Sequence, residues 1–304
     1  MGYKKAGFEV IGNVEIDPKM NDLYVRNNKP KYNYLEDLRD FNKREDLPEA
    51  LFGIDILDGS PPCTSFSTVG LRDKTWGKKK KFKEGQTAQT LDDLFFVFLD
   101  TVEKLQPKIV LAENVTGIIK GKARGYINLV VKRLQDLGYS VQIFQLNAAH
   151  MDVPQARHRV FIIANNQGYG KLKLEFKNDV LLFGAVKTEH GRPITSEREI
   201  KLLNAAGAED YRFADVCLRM TGHETMYSDV IVHDSQVCNT ITGAGRFYRY
   251  EDKTKLSDED IRRCSTFPSD YDFRNQNVQY VCGMSVPPNM MANIAVEIWE
   301  QWLS

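Results

Sequence analysis

The sequence predicts an α/β fold: a largely parallel sheet, then a smaller loop-rich domain. Over residues 1–165 short apolar runs alternate with stretches of helical periodicity, the pattern of a sheet whose strands are joined by helices. After Asn165-Asn166 the chain turns polar and irregular, broken by Gly184, Gly191, Pro193, Gly207, Gly222, Gly243 and Gly245. The last stretch, Pro288 to Leu303, regains helical spacing through Met291, Ile294, Ala295, Ile298 and Trp302, and is expected to pack back on the first domain.

The elements follow in order. Phe8 to Ile16 reads as a strand ending at Asp17-Pro18, and Asp55 to Leu57 as a short buried strand closed by Gly59, Pro61 and Pro62. Leu91 to Leu105 is a helix, with apolar Leu91, Leu94, Phe95, Phe98, Leu99, Val102 and Leu105 and with Pro107 just past its end. Ile109 to Ala112 is a strand, Tyr126 to Leu137 a helix stopped by Gly138, and Tyr139 to Leu146 and Val160 to Ala164 are strands. No internal repeat appears.

Composition narrows the functional classes. The chain has 304 residues, enough for one large and one smaller domain. Lys plus Arg and Asp plus Glu are 41 each, so a polyanion would have to be met by local patches. No run approaches the roughly 18 apolar residues of a membrane span, and the N-terminus lacks the apolar core of a secretory signal. Five cysteines, odd in number and never paired as C-x-x-C, point away from disulfides and zinc and towards a reducing cytoplasm. The five histidines show no metal-ligand spacing, so no metal is expected.

Three strings carry chemistry. GSPPCTSFS places Cys63 on a rigid loop after an apolar run. KIVLAENV delivers Glu113 and Asn114 in the same way, and QARHRVFII sets Arg157 and Arg159 two apart, where strand alternation would turn both to one side. In an open α/β sheet such residues gather at the carboxyl ends of strands, as would Glu15 and Asp37. A thiol beside guanidinium groups is a candidate nucleophile, and a carboxyl group at a dry strand end, raised by burial, is a candidate proton donor. Taken singly, Cys63 reads more readily as a buried structural thiol than as a catalyst, Asn114 has a second reading as a cap, and the arginines read equally as a surface ion-pair pattern.

Together the strings resemble the DNA cytosine-5 methyltransferases. GSPPCTSFS is similar to the family's Pro-Cys loop, AENV to its Glu-Asn-Val element and QARHRVFIIA to its Q-x-R-x-R signature. KAGFEVIGNVEIDP resembles the segment carrying the cofactor-ribose acid, LSDEDIRRCSTFPSDYDF the block after the target-recognition domain, and GMSVPPNMMANIA the closing helix. All six fall in the family's order. The resemblance implies a Rossmann-like sheet dependent on S-adenosylmethionine, with residues 1–165 plus 281–304 catalytic and 166–280 recognising the target. It implies that Cys63 adds to carbon 6 of a cytosine flipped out of duplex DNA, that Glu113 holds ring nitrogen 3, and that Arg159 donates to the exocyclic oxygen. Arg157 would support the backbone and Asn114 the cysteine loop. Glu15, Ile16, Asp37, Leu38, Pro62, Leu94, Ser285 and Val286 map onto the S-adenosylmethionine site. The lysine-rich stretch from Arg72 to Lys83 would touch phosphates, and Arg246, Tyr248 and Arg249 would touch DNA. A monomer serving restriction–modification, beside a separate restriction endonuclease, or phage self-protection is expected.

The sequence also departs from the family. The family begins with a strand and a glycine-rich F-x-G-x-G turn, whereas Met1-Gly2-Tyr3-Lys4 corresponds to the helix after that turn. The missing strand is central in the sheet, so its neighbours would lack ladder partners; a mis-set start codon or truncated gene is the expected explanation. Met284 stands where Asn is usual and Thr64 where Gln is usual. Two other readings remain: a tRNA cytosine methyltransferase, whose branch carries a Cys-Phe-Thr element not found here, and a catalytically impaired DNA-binding remnant.

Overall fold

The structure is a computed structural model describing residues 1–62, 94–121, 123–227 and 229–304. Cys63, Arg72 to Lys83 and the first residues of the helix expected from Leu91 lie outside the described residues.

Along the chain, α1 (Gly2–Lys5) is followed by β1 (Gly12–Glu15), α2 (Pro18–Asn28), β2 (Tyr32–Leu35), α3 (Leu38–Phe41), β3 (Ile56–Gly59), α4 (Leu94–Leu105), β4 (Ile109–Val115), α5 (Ala123–Asp136) and β5 (Ser140–Asn147). Then come β6 (Gln155–Ala156), β7 (His158–Asn165), α6 (Phe183–Val186), α7 (Glu197–Ala205), α8 (Phe213–Thr221) and β8 (Val230–Val232). The last are β9 (Cys238–Asn239), β10 (Phe247–Arg249), β11 (Thr254–Lys255), α9 (Asp258–Cys264), α10 (Val278–Met284) and α11 (Pro288–Ile298). No helix among the described residues is long and apolar enough to cross a membrane.

The chain divides into two compact units: one of Glu9–Leu146, His158–Leu174 and Glu297–Ser304, the other of Met1–Phe8, Asn147–Arg157 and Glu175–Val296. Composition changes once, near Asn165, whereas the chain crosses between units repeatedly, because contacts follow the sheet and not the polarity of the segments.

The first unit holds a four-stranded sheet of order β3-β4-β7-β5 and a separate parallel pair, β1-β2. The sheet is mixed and not wholly parallel: β4 runs parallel to β3 but antiparallel to β7. Among the described residues β1 pairs only with β2, and β3 only with β4. β1 is also shorter than the nine-residue run expected, since Gly7, at φ +88°, turns the chain out of α1 and regular pairing begins only at Gly12. α2 starts sharply because the Asp17 carboxylate accepts from the Lys19 and Met20 amides and Pro18 occupies its first turn.

The core explains the apolar runs. One face of the sheet, with Val110 and Ala112 of β4 and Val160, Ile162 and Ala164 of β7, packs on Phe95, Phe98, Leu99 and Val102 of α4 and on Ile127, Val130 and Leu134 of α5. Each such buried side chain contributes about 1.5–3 kcal/mol. Ile109, Leu111, Phe161 and Ile163 on the opposite face are also buried, so β4 reads as a continuous apolar run.

The second unit contains the three-stranded sheet β11-β10-β8, beside which Leu203, Phe213, Val216, Ile231 and Tyr248 form a core. Here α11 joins α1 and the 151–152 turn: Met291 lies against Gly2, and Asn289 and Asn293 donate to the carbonyls of Asp152 and Met151.

Candidate active site

The carboxyl ends of β1, β2 and β3 each lead directly into candidate residues. Glu15 closes β1 and Ile16 follows it; Asp37 and Leu38 follow β2; Pro61 and Pro62 follow β3. β1 and β2 are parallel with Glu15 opposite Leu35, so Glu15 and the Asp37 turn lie at one end of the pair.

β4 runs past Ala112, where the strand was expected to end, to Val115, because antiparallel β7 keeps pairing up to Val115 opposite Arg159. Glu113 and Asn114 are therefore residues of a strand and point to opposite faces. On one face the Glu113 carboxylate meets the Arg159 Nε at 2.8 Å, both side chains being nearly buried (12% and 13% exposed). They are diagonal neighbours across the ladder, within reach for long side chains. Burial pushes the Arg159 guanidinium down from its ordinary value, and the Glu113 carboxylate pulls the other way. On the other face the Asn114 amide donates to the Pro61 carbonyl at 2.9 Å, and its Oδ1 accepts from the Val115 amide at 3.0 Å. That bond fixes the backbone two residues before Cys63.

Arg157 lies outside β7, the strand that carries Arg159, so the unbroken alternation expected of the two does not hold. The strand is interrupted between β6 and β7, and Arg157 is buried in the second unit, donating to the carbonyls of Ile241 at 3.0 Å and Gly283 at 2.9 Å. Gly283 must be glycine: an added Cβ would lie 2.4 Å from the Gly243 nitrogen and 2.5 Å from the Thr242 carbonyl carbon. Ser285 caps the end of α10, its hydroxyl donating to the Val281 carbonyl at 2.7 Å, and Val286 follows half-buried.

The carboxylates mapped to the cofactor differ in availability. Glu15 Oε1 accepts from the Asp17 amide at 2.8 Å. Desolvation, the larger cause, raises the Glu15 carboxyl, with the Asp17 charge adding and the Asp17 and Ile16 amides opposing. Asp37 caps α3 through the Arg39 amide at 2.8 Å and also meets the Arg39 guanidinium at 3.2 Å. Leu94 opens α4 half-buried, and Leu38 packs against both core clusters of this unit. A carboxylate closing β1, with apolar Ile16 beside it and Leu38 just past β2, fits a nucleoside such as that of S-adenosylmethionine.

Two residues escaped sequence reasoning. Gln155 is buried; its Oε1 accepts from the Ile241 amide and its Nε2 donates to the Cys264 carbonyl, so with Arg157 it pins the 241–245 loop. Its signal was the glutamine of Q-x-R-x-R. Asp58 lies opposite Leu111 in the β3–β4 register, hence on the face of Glu113. Desolvation and then the Glu113 charge raise the Asp58 carboxyl to about 7. Because Asp58 keeps contact with solvent, the neighbouring charge, which the register independently supports, is the firmer cause. Its signal was the second acid of DILDG.

Tyr248 and Arg249, expected to touch DNA, are both fully buried. Arg249 pairs with the equally buried Asp260 at 2.5 Å and reaches Thr188 at 2.6 Å, while Tyr248 packs on Phe213 at 4.5 Å between ring centroids. β10 is covered on both faces, so these consecutive residues are buried on opposite sides, whereas Arg246, just before the strand, is exposed.

Comparison with known proteins places the chain in a family. The family model described as C-5 cytosine-specific DNA methylase matches residues 1–300. The type II methyltransferase M.NgoPII of Neisseria gonorrhoeae is 33% identical over 168 residues, covering 54% of this chain and 43% of that protein. M1.HphI of Haemophilus parahaemolyticus is 25% identical over 331 residues, covering 97% and 82%. The chain thus spans less than half the length of the first of these relatives. The solved S. pombe Dnmt2 methyltransferase superposes with a TM-score of 0.65 at 15% identity, covering 98% of this chain and 94% of that one, a likeness of fold alone. The chain belongs to the C-5 cytosine-specific DNA methylase family.

Proposed function

We propose that the protein methylates carbon 5 of cytosine in duplex DNA, as a modification enzyme of a restriction–modification system or of a phage. Support comes chiefly from the neighbouring placement of Glu113 paired with Arg159 and Asn114 tied to Pro61 in a chain of this family. The target cytosine leaves the stack at a cost of a few kcal/mol, since its ring atoms are unreachable inside the duplex. The Cys63 thiolate adds to carbon 6, a carbon–sulfur bond forms, and the displaced π electrons make carbon 5 nucleophilic. Glu113 holds the N3 edge and Arg159 the exocyclic oxygen, offsetting charge that builds on the ring. Bound S-adenosylmethionine supplies the methyl group for carbon 5, with Glu15, Ile16, Asp37, Leu38, Pro62 and Leu94 holding it. Loss of the carbon-5 proton then expels the thiolate and restores the ring.

The test is incubation with S-adenosylmethionine carrying a labelled methyl group, in parallel with duplex DNA and with tRNA, followed by nucleoside analysis. Label in 5-methylcytosine is expected. Label confined to tRNA, or none in any cytosine, would overturn the reading.

A further inference from the structure

In the second unit a cleft of about 340 Å³ is lined by Arg192, Pro193, Gly245, Arg246, Phe247, Lys255 and Gln279. Three cations front it, and each is held from behind. Arg246 Nε meets Asp229 at 2.8 Å and its Nη1 meets Glu199 at 3.1 Å; Lys255 Nζ meets the other Glu199 oxygen at 2.7 Å. Glu199 and Asp229 are nearly buried (13% and 8% exposed), whereas the Arg246 side chain is 60% exposed. Arg192 donates its Nε to the Leu256 carbonyl at 2.8 Å and meets the exposed Asp258 at 3.3 Å. Arg192 and Arg246 thus spend Nε and Nη1 on fixing their position, which leaves Nη2 of each and the remaining N–H groups of Lys255 for a ligand.

The wall is equally fixed. Gln279 donates to the Thr242 carbonyl at 3.0 Å and also bonds the Gly245 carbonyl. A Cβ on Gly245 would lie 2.6 Å from Thr242 Oγ1 and 2.8 Å from the Phe247 ring, so backbone alone forms that side. None of the carboxylates lines the cleft. Pre-positioned N–H groups of three cations around a small opening suit a compact anion with several oxygens, and little side-chain freedom is left to lose on binding.

We propose that this cleft seats a phosphodiester of the DNA backbone, held by Arg192, Arg246 and Lys255. The assignment rests on the reading that the protein acts on DNA. Such a contact fixes the register of the duplex and does not read its bases.

Binding of a mixed-sequence duplex, followed by fluorescence anisotropy from about 50 to 200 mM salt, tests it. Each phosphate contact contributes about 0.9 to the slope of log affinity against log salt. Arg192→Gln and Lys255→Gln should together flatten the slope by about 0.9, so that over this range the double variant loses about threefold less affinity than the wild type. Lys255→Arg should keep the wild-type slope. An unchanged slope in a folded double variant, even one with a lower melting temperature, would overturn the cleft assignment while leaving methylation intact. A wild type that neither binds nor methylates duplex DNA would overturn both.

Discussion

Asn114 donates its side-chain amide to the carbonyl of Pro61 at 2.9 Å, tying the end of β4 to the loop that leaves β3 two residues before Cys63. Both partners are buried, and Asn114 is held in turn by the Val115 amide. Asn114→Ala would leave the Pro61 carbonyl buried without its donor, at a cost of about 1–3 kcal/mol. A thiol displaced by about 1 Å loses on the order of 100-fold in rate. Methyl transfer measured beside thermal melting should therefore show kcat falling far more than stability. A variant as active as the wild type would remove the positioning argument.

Glu113 and Arg159 should couple. Arg159→Ala removes the 2.8 Å partner of a nearly buried carboxylate and is expected to cost about 3 kcal/mol, the low end for such pairs because some contact with water remains. In a double-mutant cycle with Glu113→Gln, measured by denaturant unfolding, the second substitution should cost much less once the first is made. Additive losses would mean that the 2.8 Å contact carries no energy.

Gly283 offers a purely steric test. Gly283→Ala drives a methyl group against the backbone of Thr242 and Gly243, which cannot rotate away, so a loss of about 2 kcal/mol or more is expected. Arg157→Lys, which cannot span both the Ile241 and Gly283 carbonyls, should loosen the same loop. Hydrogen exchange at the 241–245 amides reads both, and unchanged protection would contradict the account.

Asp58 makes a prediction about pH. Its carboxyl, ordinarily near 3.8, is raised to about 7, so between those values the folded protein holds a proton that the unfolded chain releases. Stability from this group is present below about pH 4 and is lost as pH rises through about 7. Melting temperature followed from pH 4 to 8 should fall more steeply in the wild type than in Asp58→Asn, with the variant the more stable at pH 8. Parallel curves would show that the Asp58 carboxyl is not raised in the folded protein.

The sequence made several strands of the first unit legible because apolar runs bounded by glycine and proline leave few alternatives, as at Asp55 to Leu57 and Ile109 to Ala112, but not their order or the short strands of the second unit. It could not show that β4 continues through Glu113, since the partner that extends it, β7, is some fifty residues away and antiparallel. For the same reason the alternation of Arg157 and Arg159 misled: periodicity assumes an unbroken strand. Tyr248 and Arg249 failed as surface residues because Asp260, which satisfies the buried guanidinium, is visible only in three dimensions.

Duplex DNA carrying 5-fluorocytosine tests the central claim most directly, because fluorine at carbon 5 cannot leave as a proton does and the sulfur bond should persist after methyl transfer. With S-adenosylmethionine present, the account predicts a denaturation-resistant protein–DNA adduct from the wild type and none from Cys63→Ala. An adduct that survives in Cys63→Ala, or wild-type methylation of ordinary cytosine without any trapped species, would contradict it.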